Sequence, residues 1–149
     1  MSEYQLTKEI ISRSVAKNWD AAKLEWKLDH IYESEEPGTC LCGHFPIKEF
    51  CIIRNIKNGA LATVGNCCVN KFMGITSDKI FQSLRRVRKT PEKSLNAEAI
   101  QYAFDQGWIN EWEKDFYLDI LRKRQLSLKQ QSKKAQINDK ILHNFKLSK

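Results

Sequence analysis

The segment that decides the fold is residues 39–72, whose sequence is TCLCGHFPIKEFCIIRNIKNGALATVGNCCVNKF. It contains all five cysteines of the 149-residue chain and one of its three histidines. In a reducing compartment, clustered cysteines bind metal ions more often than they form disulfides, and an odd number cannot all pair within the chain. Thiolates and imidazoles are the ligands of structural zinc sites. The segment therefore predicts a zinc site.

Local signals within this segment predict the order of its elements. Gly43 follows a C-x-C pair and permits a backbone reversal that directs both sulfurs to one point. Alternating apolar residues over 47–55 predict a strand, the Asn-Gly pair at 58–59 predicts a type I′ turn, and residues 60–64 predict the returning strand. A helix is predicted to begin after Gly65. This order of knuckle, hairpin and helix resembles a treble-clef zinc motif with altered spacing.

The predicted metal ligands are Cys40, Cys42, Cys51 and Cys68, with His44 and Cys67 as alternates for the fourth position. Adjacent side chains point in different directions, so Cys67 and Cys68 are not expected to reach the same ion. Glu49 is the one carboxylate in the segment, which also lacks the H-x-E…P-C-x-x-C pattern of zinc deaminases. A structural zinc is therefore predicted. The alternative, free cysteines that fill a small core, stays open.

Apolar residues at helical spacing on both sides of the segment predict several helices. The predicted class is α+β, mainly helical with a small β-hairpin of two to three strands. Hydrophobic residues make up 42% of the chain, which suffices for the core of one domain. Within a single domain of residues 1–149, the zinc element is predicted to cover 39–75 and the helical part 76–149, with a basic end from about residue 122.

Helix starts and one helix face can be placed from local patterns. Asn or Ser stands before each of several helical runs, and the predicted N-caps are Asn18, Ser77, Asn96, Asn110 and Ser127. Glu113 and Gln130 stand three residues after two of these caps, which is the pattern of a capping box. Trp112, Phe116 and Ile120 recur every four residues, so they are predicted to face the core.

Positive charge is concentrated at one end of the chain. Residues 122–149 contain nine Lys and Arg and one Asp, a net charge of +8, whereas residues 1–121 sum to −1. A basic segment beside a zinc element predicts contacts with the phosphates of DNA or RNA, although a basic helix face can also serve only to keep a protein in solution. The predicted contact residues are Arg85, Arg86, Arg88, Arg122, Lys123, Arg124, Lys129, Lys133 and Lys134.

Other classes of function are either disfavoured or left open by the sequence. No apolar run approaches the roughly 20 residues that span a bilayer, and the N-terminus lacks the apolar core of a signal peptide, so a cytoplasmic protein without a membrane partner is expected. A non-enzymatic protein is predicted. One alternative is a protein-interaction module, such as an adaptor or an inhibitor of a host protein. Another is a metal-dependent nuclease, because Glu111, Asp115 and Asp119 recur every four residues, although these acids can equally pair with nearby basic residues.

Three stretches carry a resemblance to known proteins: EWKLDHIYESEEPGTCLCGHFPIKEFCIIRN, NGALATVGNCCVNKF and INEWEKDFYLDILRKRQLSLKQ. They resemble a group of small bacterial and phage-associated proteins with a C-x-C-G…G-x-x-C window and an INEWE…RK-x-LS-x-KQ helical end. The resemblance implies that Cys40, Cys42 and Cys68 match the core of the window, that Cys67 is a replaceable position, and that LSLKQ belongs to the module. It implies no catalytic residues.

Overall fold

The computed structural model describes residues 3–148. They form seven α-helices and one three-stranded antiparallel sheet, so the predicted α+β class is confirmed. The chain divides into two compact units, residues 3–78 and 79–148, where the sequence predicted one domain. The boundary lies close to the predicted division between zinc element and helical part. None of the described helices is long and apolar enough to cross a membrane.

The first unit is built around the sheet. Its elements are α1 (Glu3–Ser12), α2 (Trp19–Ala22) with a 3₁₀ turn at Lys23–Glu25, β1 (Trp26–Gly38), β2 (Ile47–Asn55), β3 (Leu61–Gly65) and α3 (Asn66–Met73). The strands lie in the order β1-β2-β3. Ile31, Cys51 and Val64 are opposite one another across the three strands, and all three are fully buried. Because side chains alternate between the faces of a strand, this row marks the core face of the sheet.

One local prediction in the first unit was wrong, that of the turn in the β2–β3 hairpin. The β2–β3 hairpin has no type I′ turn, because Gly59 has a positive φ of 76° and Asn58 does not. Instead, the Asn55 side chain accepts hydrogen bonds from the backbone N–H groups of Lys57 and Asn58 and closes a longer loop. The hairpin is therefore closed by the Asn55 side chain and not by the predicted two-residue turn.

A buried carboxylate fixes the chain between α1 and β1. Glu25 accepts hydrogen bonds from the backbone N–H groups of Val15 and Ala16 and from the Asn55 side-chain amide, each at 2.8 Å. The hydrogen bond from Asn55, together with those from the two backbone N–H groups, holds the pKa of Glu25 below its ordinary value even though burial opposes this shift. The ionised form of Glu25 therefore stabilises the folded state.

We expect Glu25→Gln to lower the thermal midpoint at about pH 7 and to weaken its dependence on acid. Since the folded-state pKa lies below the ordinary value of 4.5, the stabilisation by Glu25 is present above that value and is lost as the pH falls through the lower one. Thermal unfolding of both proteins between about pH 7 and pH 3 tests this. Glu36→Gln, at an exposed position, is the control. Parallel pH profiles for Glu25→Gln and the native protein would refute the assignment.

The second unit is helical. It contains most of α4 (Ser77–Lys89), followed by α5 (Ala97–Asp105), α6 (Glu111–Ile120) and α7 (Leu128–Leu147). Asn96 caps α5 by accepting from the Ala99 N–H, and complete capping boxes start α6 at Asn110 and α7 at Ser127. These caps are confirmed, as is Asn18 in the first unit. Ser77 is not a cap, because it is itself the first residue of α4 and its hydroxyl donates to the Asn66 side chain.

Of the three residues predicted for the core face of α6, Ile120 is buried, whereas Trp112 and Phe116 are not. Trp112 is 59% exposed, and its ring stacks almost parallel to that of Phe116 one turn later, with a centroid separation of 5.3 Å. The buried residues of α6 are Glu113, Tyr117 and Ile120. Glu113 is buried because it completes the capping box and also accepts a 3.0 Å hydrogen bond from the Lys140 ammonium. These polar contacts outweigh the simple apolar period.

Candidate metal centre

The C-x-C pair lies on a tight knuckle in the first unit. The Gly43 N–H donates to the Cys40 carbonyl at 2.8 Å, and the Cys40 N–H donates to the His44 carbonyl at 2.9 Å. Gly43 has a φ of +92°, a conformation that favours glycine, and a Cβ there would approach the Gln5 side chain to 2.8 Å. The knuckle therefore requires glycine, and it places Cys40 and Cys42 side by side.

Backbone N–H groups surround the knuckle sulfurs. The Cys42 N–H donates to Cys40 Sγ and the His44 N–H to Cys42 Sγ, each at 3.4 Å. The Gly65 N–H, at the end of β3, donates to Cys40 Sγ at 3.2 Å. Hydrogen bonds from N–H groups stabilise a thiolate more than a thiol. These N–H groups therefore favour the thiolate form of the two knuckle cysteines.

The third sulfur comes from the start of α3. Cys68 is in the first turn of this helix, whose N-terminus favours an anion. Its Sγ lies 3.4 Å from Cys42 Sγ, and the sulfurs of Cys40, Cys42 and Cys68 all lie within 4.8 Å of one another. All three residues are buried. Three sulfur donors at this spacing could hold a metal ion.

The protonation of these thiols depends on what the cluster holds. Burial raises the pKa of Cys40 and of Cys68, and the neighbouring cysteine side chains raise it further. Three adjacent thiolates therefore need a nearby cation, and a metal ion bound to sulfur supplies that charge. A donor set made only of thiolates suits zinc and other thiophilic cations rather than Mg²⁺ or Ca²⁺.

The structure does not bring the other proposed ligands into the cluster. Among residues 3–148, no other Cys, His, Asp or Glu joins the group of Cys40, Cys42 and Cys68. Cys51 is buried in β2, where it is hydrogen-bonded with the Ser77 side chain and where burial raises the pKa of its thiol to about 12. Cys67 and His44 are both exposed. The identity of a fourth ligand stays a prediction.

A cavity of about 440 Å³ lies beside the cluster. Cys40 and Cys68 form part of its wall, and the side chains of Ile47 and Phe72 contribute apolar surface. The remaining wall includes His44, Cys67, Lys48, Glu49, Asn66 and Lys71. Two members of the sulfur cluster and two of the alternate ligands thus border the same space.

The acidic row proposed for a nuclease does not form a metal site in the part of the chain that the structure describes. Glu111, Asp115 and Asp119 are all exposed along α6 and belong to no group of side chains able to hold an ion. Asp119 instead lies 3.8 Å from the Lys123 ammonium, one turn later. This contact matches the alternative reading of these acids as partners of nearby basic residues.

Basic residues of α4 and α7 meet around a loop in the second unit. Arg86 Nη2 donates to the Ser94 carbonyl at 2.7 Å. Lys134 Nζ donates to the Glu92 carbonyl at 2.9 Å and to the Ser94 hydroxyl at 3.3 Å. Arg124 and Lys134 line one open depression of about 710 Å³. We call Arg86, Arg124 and Lys134 the basic surface, since Arg86 and Lys134 bind the same loop and Arg124 lines a depression with Lys134.

The other predicted contact residues are less closely tied to this surface. Lys133 Nζ lies 5.3 Å from the centre of the Trp112 ring, and Lys123 faces Asp119. The remaining members are exposed on α4, at the start of α7 or in the segment before α7: Arg85, Arg88, Arg122 and Lys129. The sequence did not indicate the loop that joins Arg86 to Lys134, because the contacts of Lys134 link positions 40 and 42 residues apart.

The sulfur cluster in the first unit and the basic surface in the second are the two features from which a function can be inferred. Each is formed by side chains that are distant in sequence, with backbone groups fixing their positions. Comparisons of the chain with protein-family models, with curated proteins and with solved structures found no match.

Proposed function

We propose that this is a non-enzymatic, zinc-stabilised protein that binds nucleic acid. The observation that carries the proposal is the convergence of Arg86 and Lys134, from different helices, on the loop at Glu92 and Ser94. Arg124 adds a third cation beside Lys134. Several cations on one surface attract a phosphate backbone more strongly than isolated basic residues do.

The charge of the two units supports the same proposal. Residues 79–148 contain 15 Lys and Arg against eight Asp and Glu, a net charge of +7, whereas residues 1–78 contain nine against ten, a net charge of −1. A positive charge confined to one unit gives that unit a field that attracts polyanions. The first unit would then supply a metal-stabilised fold rather than phosphate contacts.

Zinc is the metal that we propose for the sulfur cluster. The donor set consists of thiolates, and backbone N–H groups are directed at two of the sulfurs. Knuckle, hairpin and helix follow one another as in a treble-clef element. A metal bound to Cys40, Cys42 and Cys68 would join the knuckle to the start of α3, which are separated by the whole β2–β3 hairpin. This is the work of a structural metal.

The compartment and the biological setting are also part of the proposal. None of the five cysteines forms a disulfide in the structure, which fits a reducing cytoplasm. The resemblance to phage-associated proteins suggests a role in the DNA or RNA transactions of a phage or mobile element. Both statements depend on nucleic-acid binding by the second unit.

The proposal predicts that the triple variant Arg86→Gln, Arg124→Gln, Lys134→Gln binds nucleic acid at least about tenfold more weakly at low salt. Glutamine keeps a donor for the loop contacts while removing the charge. The slope of log affinity against log salt for duplex DNA should become shallower by about 2–3, since up to three phosphate contacts are lost. Fluorescence anisotropy with labelled single- and double-stranded DNA and RNA measures both quantities.

The matched control removes the same charge from the first unit, as Lys8→Gln, Lys17→Gln, Lys57→Gln, all at exposed positions. This control should leave the affinity nearly unchanged. Equal weakening by the two triple variants would show non-specific attraction and contradict an interface on the basic surface. If the native protein binds none of the four nucleic acids at low salt, the proposed function is wrong.

A further inference from the structure

The sulfur cluster supplies three ligands to an ion that prefers four. Zinc sites are tetrahedral, and those with three protein ligands keep the fourth position for water or another molecule. In residues 3–148 no further Cys, His, Asp or Glu side chain joins Cys40, Cys42 and Cys68. Two of these three residues also line the 440 Å³ cavity. The cavity thus borders two of the three residues whose sulfurs form the cluster.

We propose that this cavity binds a small thiol whose sulfur completes the coordination of the metal. The inference rests on the zinc centre proposed above. As the ligand binds, its thiol proton passes to solvent and its sulfur displaces water from the fourth position. Thiolate is the ligand type that the other three positions already show, and the cavity lies within the size range of small-molecule sites.

The other cysteines and His44 lie outside the 4.8 Å group of sulfurs. Cys51 does not line the cavity and interacts with the Ser77 side chain. Cys67 immediately precedes Cys68 on α3, is exposed and lies outside the 4.8 Å group. His44 is also exposed, although its backbone N–H is bonded to Cys42 Sγ. Both of these side chains border the space that the proposed ligand occupies.

The charges of the cavity wall suit a small monoanion. Zinc with three thiolates carries one net negative charge, and a fourth thiolate raises this to two. Lys48 and Lys71 line the cavity, and their positive charges can offset these negative charges. Glu49, which accepts a 3.2 Å hydrogen bond from the Asn66 amide, disfavours a more highly charged ligand such as phosphate. Ile47 and Phe72 provide contacts for a short apolar body.

Cobalt-substituted protein provides the test, because the absorption of tetrahedral Co²⁺ responds to each change of ligand. Titration with 2-mercaptoethanol should shift the sulfur-to-cobalt charge-transfer band to a saturating end point, with cobalt retained by the protein. Ethylene glycol, which has a hydroxyl in place of the thiol, should leave the band unchanged. Lys71→Gln should weaken thiol binding by about tenfold, the effect of losing one charged contact, whereas Lys57→Gln should not.

The outcomes separate this inference from the function on which it rests. A cobalt spectrum unaffected by thiol overturns the cavity proposal while the metal centre stands. A thiol-free spectrum that changes in Cys67→Ser or His44→Ala also overturns it, because a protein donor would then occupy the fourth position. Failure of the native protein to bind cobalt overturns both the metal centre and the inference. Anisotropy measurements of nucleic-acid binding remain an independent test of the second unit.

Discussion

Replacing Cys68 with serine is expected to lower the affinity for zinc by about 100-fold or more and to unfold the knuckle, hairpin and α3 together. Loss of hydrogen-bonding partners around a metal already costs about 10- to 100-fold in affinity, and loss of a ligand costs more. Structural zinc contributes its binding free energy directly to folding. Metal content after dialysis against a chelator and the thermal midpoint of the same samples measure the two effects.

The neighbouring residue gives the matched control for this experiment. Cys67→Ser removes an exposed thiol from the adjacent position on α3 and should retain metal and stability. Cys51→Ser removes a buried thiol outside the cluster. It should lower stability, because it places a polar group in the core, while the metal content stays the same. Equal metal content in Cys68→Ser and the native protein would exclude Cys68 as a ligand.

The second large effect is expected from Tyr117→Phe in the second unit. Tyr117 is fully buried, its hydroxyl donates to Asn138 Oδ1 at 2.6 Å, and it accepts from the Leu95 N–H at 2.8 Å. The Asn138 amide in turn donates to the carbonyl groups of Pro91 and Lys93. Removing the hydroxyl leaves buried partners unsatisfied, which costs about 1–3 kcal/mol. For a unit of this size, each kcal/mol lowers the thermal midpoint by about 4–8 °C.

The same variant tests the basic surface, and its stability should depend less on alkaline pH than that of the native protein. The loop held by Tyr117 and Asn138 carries the groups that bind Arg86 and Lys134, so Tyr117→Phe should also weaken nucleic-acid binding.

Burial raises the pKa of Tyr117 to about 12 from an ordinary value of 10. Its stabilising contribution is complete below the ordinary pKa and declines as the pH rises toward the folded-state value. Native protein, but not Tyr117→Phe, should lose this contribution in alkali.

Tyr4→Phe serves as the control for the tyrosine experiment, since that side chain is 78% exposed. It should match the native protein in thermal midpoint and in nucleic-acid affinity. A midpoint for Tyr117→Phe equal to that of Tyr4→Phe would show that the buried hydrogen bonds contribute no net stability. The loop would then have to be held by packing alone.

Local signals predicted much of this structure because they act within a few residues. The caps at Asn96, Asn110 and Ser127 depend on a side chain three residues from its partner, and the knuckle depends on Gly43 next to its cysteines. These features need no knowledge of the rest of the fold. The sequence accordingly predicted the starts of α5, α6 and α7 and the close approach of three sulfurs, but not the start of α4.

Features that depend on distant parts of the chain were harder to predict. Trp112 fits an apolar period but is exposed, whereas its neighbour Glu113 is buried and pairs with Lys140 of α7. The loop that receives Arg86 and Lys134 is likewise defined by contacts between separate helices. The cavity beside the sulfurs depends on how β2, α3 and the knuckle meet. Periodicity and spacing describe one helix or strand at a time and carry little information about contacts between elements that are distant in sequence.

Gly65 has a spectroscopic consequence. Gly65 is the last residue of β3 and the N-cap of α3, and its backbone N–H group donates to Cys40 Sγ. The nuclear magnetic resonance signal of its amide proton should therefore report on the candidate metal centre. Both its chemical shift and its rate of exchange with deuterium should follow the electron density on one sulfur, so occupancy of the centre can be monitored at a backbone position without attaching a label.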